Sequence, residues 1–128
     1  MTPVRIAIAG VGQRGLQHLR ELWELHGSGH VIVSALCDSW ADNLDPEKIR
    51  SFVHGYDAGG IRTYTSFDAL LSDGDLDAIY FCLPPSVHAG EVVAAAQAGL
   101  HVFVEKPMSL YYDEAVAMDH AITGSGVI

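Results

Sequence analysis

Gly10-Val11-Gly12-Gln13-Arg14-Gly15, together with an aspartate at position 38, is the part of this chain whose residue types and spacing speak most directly to chemistry. A GxGxxG run between a strand and a helix suits the binding of a pyrophosphate. Gly10 makes the tight turn, Gly12 leaves room for phosphates to approach the backbone, and Gly15 lets the helix pack closely on the strand. The helix N-terminus then offers Gln13, Arg14 and their neighbours as unpaired N–H donors. Asp38 follows the last glycine by 38 − 15 = 23 positions, close to the ~20 expected of a carboxylate that accepts hydrogen bonds from an adenosine ribose. Such a carboxylate repels a 2′-phosphate, so NAD is favoured over NADP, with Arg14 able to offset part of the repulsion. Taken singly, the loop is an ordinary glycine turn and Asp38 a solvated strand-end residue; in combination they point to a dinucleotide. Ser39 and Trp40 adjoin Asp38. Two readings stay open for them: they flank the adenine, with Trp40 stacked on it, or Trp40 lies on the surface.

Other reactive side chains make weaker cases. Cys37 and Cys82 are expected near the ends of two strands that flank the first on opposite sides, about 10 Å apart, which makes them free thiols. Neither lies beside a histidine or in a CxxC, so buried structural cysteine is the expectation. His18, His26, His30, His54, His101 and His120 show no two-histidine spacing with carboxylates on one helix face, and no metal site is expected. The balance of 7 basic against 16 acidic residues, a net charge of −9, opposes binding to nucleic acid or to an anionic membrane surface. Phosphate binding must therefore be local, through backbone N–H groups and a helix dipole. With 49% hydrophobic residues over 128 positions the chain can bury one core. No apolar run approaches a membrane span of roughly 18 to 20 residues, and no signal peptide is evident at the N-terminus, so a cytoplasmic location is expected.

These groups need elements to position them. Val4 to Ala9 is apolar enough for a strand buried on both faces, and Leu16 to Leu25 carries a helical apolar pattern. Val31 to Cys37 predicts a second strand. Asp45-Pro46-Glu47 starts a helix leading into Ile49 to Val53. Ile61 to Tyr64 predicts a short edge strand, and Thr65 or Ser66 can cap a helix over Phe67 to Leu71. Asp77 to Cys82 is another buried strand, ended by Leu83-Pro84-Pro85. A helix over His88 to Ala98 closes on Gly99, and His101 to Val104 returns as a strand. A last helix runs from about Tyr112 to Ile122 and stops at Gly124, after which Val127-Ile128 opens a sixth strand. This alternation implies an α/β fold: a doubly wound parallel sheet with right-handed crossovers and helices on both faces, in one domain over 1–128.

Glu105-Lys106-Pro107 follows the fifth strand and is preceded by Ala98-Gly99-Leu100-His101-Val102-Phe103-Val104. On its own, a lysine after a strand is a solvated surface charge. In this order, however, the glycine loop, the strand-two acid, the turn from Pro84 to His88 and Glu105-Lys106-Pro107 resemble the Gfo/Idh/MocA oxidoreductases, relatives of glucose-fructose oxidoreductase and inositol dehydrogenase. The resemblance covers nearly the whole chain. It implies a Rossmann domain of an enzyme moving hydride between C4 of a nicotinamide and a carbinol or carbonyl carbon of a sugar, cyclitol or related polyol. Lys106 is then the catalytic residue near the nicotinamide and the reacting oxygen, able to polarise a carbonyl or stabilise an alkoxide. Glu105 either orients Lys106 or binds the nicotinamide ribose, and Pro107 fixes the chain after it, through a cis bond as in relatives. In an open parallel sheet the carboxyl ends of the strands line the crevice, which gathers Gly10, Leu83 and Glu105 around one ligand. His88 either contributes to that crevice or lies in the first turn of its helix.

The resemblance also implies a second α/β domain that carries the substrate pocket, a histidine for proton transfer and the contacts of a homo-oligomer. These 128 residues are expected to be the cofactor half of such an oxidoreductase, inactive alone. A stand-alone NAD-binding or sensing module is the alternative, and a nucleotide-sugar or acyl-CoA binder reusing the fold a third. A sensor has no use for a lysine aimed at the nicotinamide end.

Overall fold

The computed structural model describes all 128 residues, Met1–Ile128. Five parallel strands, β1 (Val4–Ala9), β2 (Val31–Cys37), β3 (Arg62–Tyr64), β4 (Ala78–Phe81) and β5 (His101–Val104), form one sheet in the order β3-β2-β1-β4-β5. Its register runs from Val4 beside Val31 to Ala9 beside Cys37 on one edge of β1, with an irregularity at Ile6/Ala7, and from Ile6 beside Ala78 to Ala9 beside Phe81 on the other. β1 is thus the central strand, and alternation sends its side chains to two cores. Ile6 and Ile8 face Leu19 and Leu22 of helix α1 (Gln13–Gly27) and Ile49 of α2 (Pro46–Arg50). Ala7 and Ala9 face the opposite core, where Phe81, Leu70 of α3 (Phe67–Leu71), Val92 and Ala95 of α4 (Glu91–Gln97) and Met118 of α5 (Tyr112–Ser125) are packed. The first two crossovers therefore cover one face and the later ones the other. That reversal makes the carboxyl ends of β1 and β4 a topological switch point, where open α/β sheets place their ligands.

Local chemistry accounts for most element ends. Asp45 caps α2 by accepting the Glu47 N–H at 3.0 Å, with Pro46 at the first helical position. Ser66, not Thr65, caps α3 through the Ala69 N–H. Three boundaries differ from expectation. α4 begins at Glu91 rather than His88, because the chain leaves Pro84 in a 3₁₀ turn over Pro85–Val87 and then needs Gly90 in the left-handed region, at φ +88°, to enter the helix. α2 is helical only to Arg50, and Phe52 and Val53 follow as turns bonded back to Ile49. α5 runs through Gly124 and ends at Gly126, whose φ of +70° supplies the helix stop. Ile128 then lies beside β5, accepting the Val102 N–H at 2.8 Å, but no further strand pairing is formed.

Two features set the frame of the switch point. At the far end of the sheet, Arg5 of β1 grips Asp77 with its peptide N–H, Nε and Nη2 at 2.7–2.9 Å, and a second arm reaches Asp75. At the near end, Gly10 leaves β1 at φ +94°, and a Cβ there would lie 2.6 Å from the Cys82 carbonyl oxygen. Gly15, in the first turn of α1, sits so close to Gly10 that a Cβ would overlap the Gly10 carbonyl oxygen. Two predictions follow from this frame. Gly15→Ala forces backbone against backbone and should cost about 3 kcal/mol or more, read as a lowered urea midpoint. The second concerns acid. The Arg5 guanidinium, then its peptide N–H, lowers the Asp77 carboxyl from 3.8 to about 2. A depressed folded-state value gives stability that is present above the unfolded value and lost as pH falls through the folded one. Unfolding midpoints should therefore drop between about pH 4 and pH 2, and Asp77→Asn should flatten that slope while lowering stability at neutral pH.

Candidate active site

A cleft of about 870 Å³ opens over the carboxyl ends of β1, β2, β4 and β5, a size suited to a large organic ligand. One wall is the glycine loop with Gly10, Gly12, Gln13 and Arg14, continued by Gln17 of α1. Asp38, Ser39, Trp40 and Asn43 form the end beside β2, and Cys82, Leu83, Pro84, Pro85 and Val87 the wall beside β4. Glu105 and Lys106 close the end beside β5.

The three glycines are not equivalent. Gly10 and Gly15 are required by the protein's own packing, as described above. Gly12 is not: its φ of −78° suits any residue, and a Cβ there would meet no protein atom within 4 Å. That open space lies at the N-cap of the 15-residue helix α1, which has no side-chain cap and no acidic residue in its first turn. An uncapped helix N-terminus with a vacated Cβ direction is what a pyrophosphate needs, so the residues present fit a dinucleotide.

Asp38 is held by three donors. Its Oδ2 accepts the Val11 N–H at 2.8 Å and Asn43 Nδ2 at 3.1 Å, and its Oδ1 accepts the Trp40 N–H at 2.9 Å. Lys48 Nζ in turn donates to Asn43 Oδ1 at 2.7 Å. The carboxylate is therefore tied to the middle of the glycine loop, with a lone-pair site left on Oδ1. Trp40 is 68% exposed and stands on the cleft rim, so the two readings of it describe one position.

At the other end, the Glu105 side chain is only 12% exposed; its Oε2 accepts from His18 Nε2 at 2.6 Å and forms an ion pair with Arg14 Nε at 3.2 Å. Its Oε1 accepts the Lys106 N–H at 3.2 Å. The His18 hydrogen bond, helped by Arg14, keeps the Glu105 carboxyl below the usual range against the opposing effect of burial. Of the two options for Glu105, this geometry fits orientation of Lys106. Arg14 is committed as well, with Nη1 on Gln17 at 2.7 Å. Lys106 is exposed, and its Nζ makes no hydrogen bond or ion pair within the chain. Pro107 follows through a cis peptide bond.

Three expected residues stand off the cleft wall. Gly15 and Pro107 shape the backbone behind it. His88 occupies neither of the places expected for it: it precedes α4, and its side chain is 1% exposed. There Nδ1 pairs with Glu91 Oε1 at 2.7 Å while Nε2 has no partner. Glu91 also accepts the Ala89 N–H, so the pair braces the turn that carries Val87 and Pro85 to the cleft. Gln17, His18, Asn43, Pro85 and Val87 were not anticipated. Only the four-residue spacing of Arg14 and His18 on one helix face hinted at the link to Glu105. Both cysteines are free, and burial pushes the thiols up, Cys37 to about 11 and Cys82 to about 12, with Asp38 and Glu105 adding to the respective shifts. Neither is a thiolate nucleophile at neutral pH. No group of three or more His, Cys, Asp or Glu side chains could hold a metal ion, and no helix is long and apolar enough to cross a membrane.

Comparison with known proteins agrees with this geometry. Residues 4–128 match the profile of a family described as the oxidoreductase family, NAD-binding Rossmann fold. The chain is 32% identical over 127 residues to the uncharacterized oxidoreductase YrbE of Bacillus subtilis, covering 94% of this chain and 32% of that protein. It is 48% identical over 69 residues to D-xylose 1-dehydrogenase (NADP(+)) 2 of Haloferax volcanii, covering 53% of this chain and 21% of that enzyme. The crystal structure of myo-inositol 2-dehydrogenase from Lactobacillus plantarum superimposes with a TM-score of 0.77 at 30% identity, over 96% of this chain and 34% of that one. The chain thus spans about a third of the length of the relatives that it matches most completely. With the glycine loop, Asp38, Glu105 and Lys106 gathered at one cleft, and the match running almost end to end, the chain belongs to the Gfo/Idh/MocA oxidoreductase family as its NAD-binding Rossmann domain.

Proposed function

We propose that the cleft binds NAD in preference to NADP, and that the domain serves an oxidoreductase that moves hydride between the nicotinamide and a carbinol or carbonyl carbon of a sugar, cyclitol or related polyol. The observation that carries the reading is Gly12: a glycine with no internal reason to be one, between a ribose-competent Asp38 and an unpartnered Lys106. The similarity to a xylose dehydrogenase and an inositol dehydrogenase supports the substrate class. The same reading makes the full-length protein a cytoplasmic homo-oligomer.

When bound, the dinucleotide supplies the hydride donor or acceptor. The chain's own groups do the rest. Backbone N–H groups at the start of α1 hold the pyrophosphate with little reorganisation, because Gly10 and Gly15 leave the loop one conformation. Asp38 accepts from ribose hydroxyls and disfavours a 2′-phosphate. Arg14 is already engaged by Glu105 and Gln17, so it gives a 2′-phosphate little compensation. Leu83, Pro84 and Val87 give the β4 wall an apolar surface. Lys106, at the β5 end, places a cation where a developing alkoxide is stabilised, and a lysine in such a cleft can also pass a proton.

Calorimetric titration of the folded chain with NADH tests the reading: saturable heat is expected, and none at millimolar NADH overturns it. Gly12→Ala should weaken NADH by about tenfold or more, since a methyl enters the phosphate space, yet lower stability by no more than about 1 kcal/mol. Asp38→Ala should narrow the ratio of NADH to NADPH affinity; an unchanged ratio puts the ribose contact elsewhere.

A further inference from the structure

Glu105 sits in the cleft but spends its carboxylate inward. Arg14 and His18 share one face of α1 and both meet its Oε2, His18 through a hydrogen bond and Arg14 as an ion pair, while Oε1 accepts the peptide N–H of Lys106. The His18 contact, at 2.6 Å to a carboxylate, requires a proton on Nε2. The imidazole is 22% exposed and fixed edge-on by two rings, Tyr80 at 5.7 Å and Phe103 at 5.1 Å, which are stacked on each other at 4.5 Å. It therefore has little freedom to leave Glu105. The long stem of Lys106 is free by contrast, so what the fold controls is where that stem begins.

We propose that His18 is a positioning residue: acting through Glu105, it locks the backbone at Lys106 to the helix that carries the phosphate loop, so that the two ends of the cleft hold a fixed separation. This inference rests on the cleft being a dinucleotide site and adds that Glu105 is a strut inside the protein rather than a ribose ligand. Two independent segments 87 residues apart are joined at this one carboxylate. Arg14 sees solvent over more than half its side chain, and its longer contact with Glu105 is the weaker one, which leaves His18 as the principal tie. A nicotinamide-bearing ligand, which reaches the β5 end, depends on the strut. A ligand that stops at the pyrophosphate does not.

The test compares NADH with ADP, which shares the adenosine and pyrophosphate but has no nicotinamide or second ribose. Calorimetry on the full chain should show that His18→Leu weakens NADH about tenfold, the scale of one hydrogen bond to a charged group, and ADP less than about twofold. His18→Gln, whose amide nitrogen reaches about as far as Nε2, should restore NADH to within about twofold of wild type. In ligand-free protein, the Lys106 amide should exchange with solvent faster in His18→Leu than in wild type or His18→Gln. Equal losses for NADH and ADP reduce His18 to a structural residue and overturn the proposal, as does an unchanged NADH affinity in His18→Leu. Wild-type protein that binds neither ligand overturns the dinucleotide reading, and unchanged Lys106 exchange in His18→Leu then overturns the strut on its own.

Discussion

The site depends on how closely the backbone crosses itself where β1 becomes α1. The Gly10 N–H is bonded to the Cys37 carbonyl of β2 at 2.8 Å, the Cys82 carbonyl beyond β4 fills the direction a Gly10 Cβ would take, and the Gly10 carbonyl fills that of Gly15. Three strands and a helix meet there chiefly backbone to backbone, with the Leu83 and Cys82 side chains alongside. Because no atom can be added at Gly10 or Gly15, the turn has one shape, and the first N–H groups of α1 point at one place. Asp38 reinforces this from the end of β2 by accepting the Val11 N–H, so the carboxylate and the start of α1 are parts of the same hydrogen-bonded loop.

A chain with a net charge of −9 that binds a dianion has to keep its own charges out of the way. It does so by using neutral donors at the phosphate end and by internal neutralisation elsewhere. Arg14, the cation nearest the loop, is turned onto Glu105, and Glu105 is held ionised by His18 and Arg14 together. The positive charge left free in the cleft is Lys106. An unpaired ammonium meets an incoming oxygen more readily than one already bonded to a carboxylate, because no protein partner has to be displaced. The β4 wall has its own brace, the buried His88–Glu91 pair, which fixes the turn after Pro84 although neither residue reaches the cleft.

Much of the architecture is legible in the chain because it is local. The apolar runs from Val4, Val31 and Asp77 read as buried strands, and caps such as Asp45 and Ser66 mark helix starts through bonds that span two or three residues. Boundaries depart from the sequence pattern where a glycine or a proline pair acts through backbone angles that composition does not reveal. Gly90 delays α4 and so removes His88 from the helix; Gly126, two residues past the expected stop at Gly124, ends α5. At the site, Asp38 and Glu105-Lys106-Pro107 were recognisable as motifs. Asn43 was not, and His18 only through its four-residue spacing from Arg14, since the partner that a side chain steadies across a fold lies far away in the sequence.

From sequence alone come the alternation of strands and helices, the dinucleotide character of the loop and the family to which it belongs, because each is written in residues near one another along the chain. Only the tertiary structure separates Gly12 from Gly10 and Gly15, since all three are the same letter and differ in what a Cβ would strike. It alone turns Glu105 inward to His18, a contact across 87 positions that exists because β5 and α1 converge on one end of the sheet. The loop's ability to hold a phosphate is a local property; which groups remain free to meet the ligand is decided by which charges the fold has already paired.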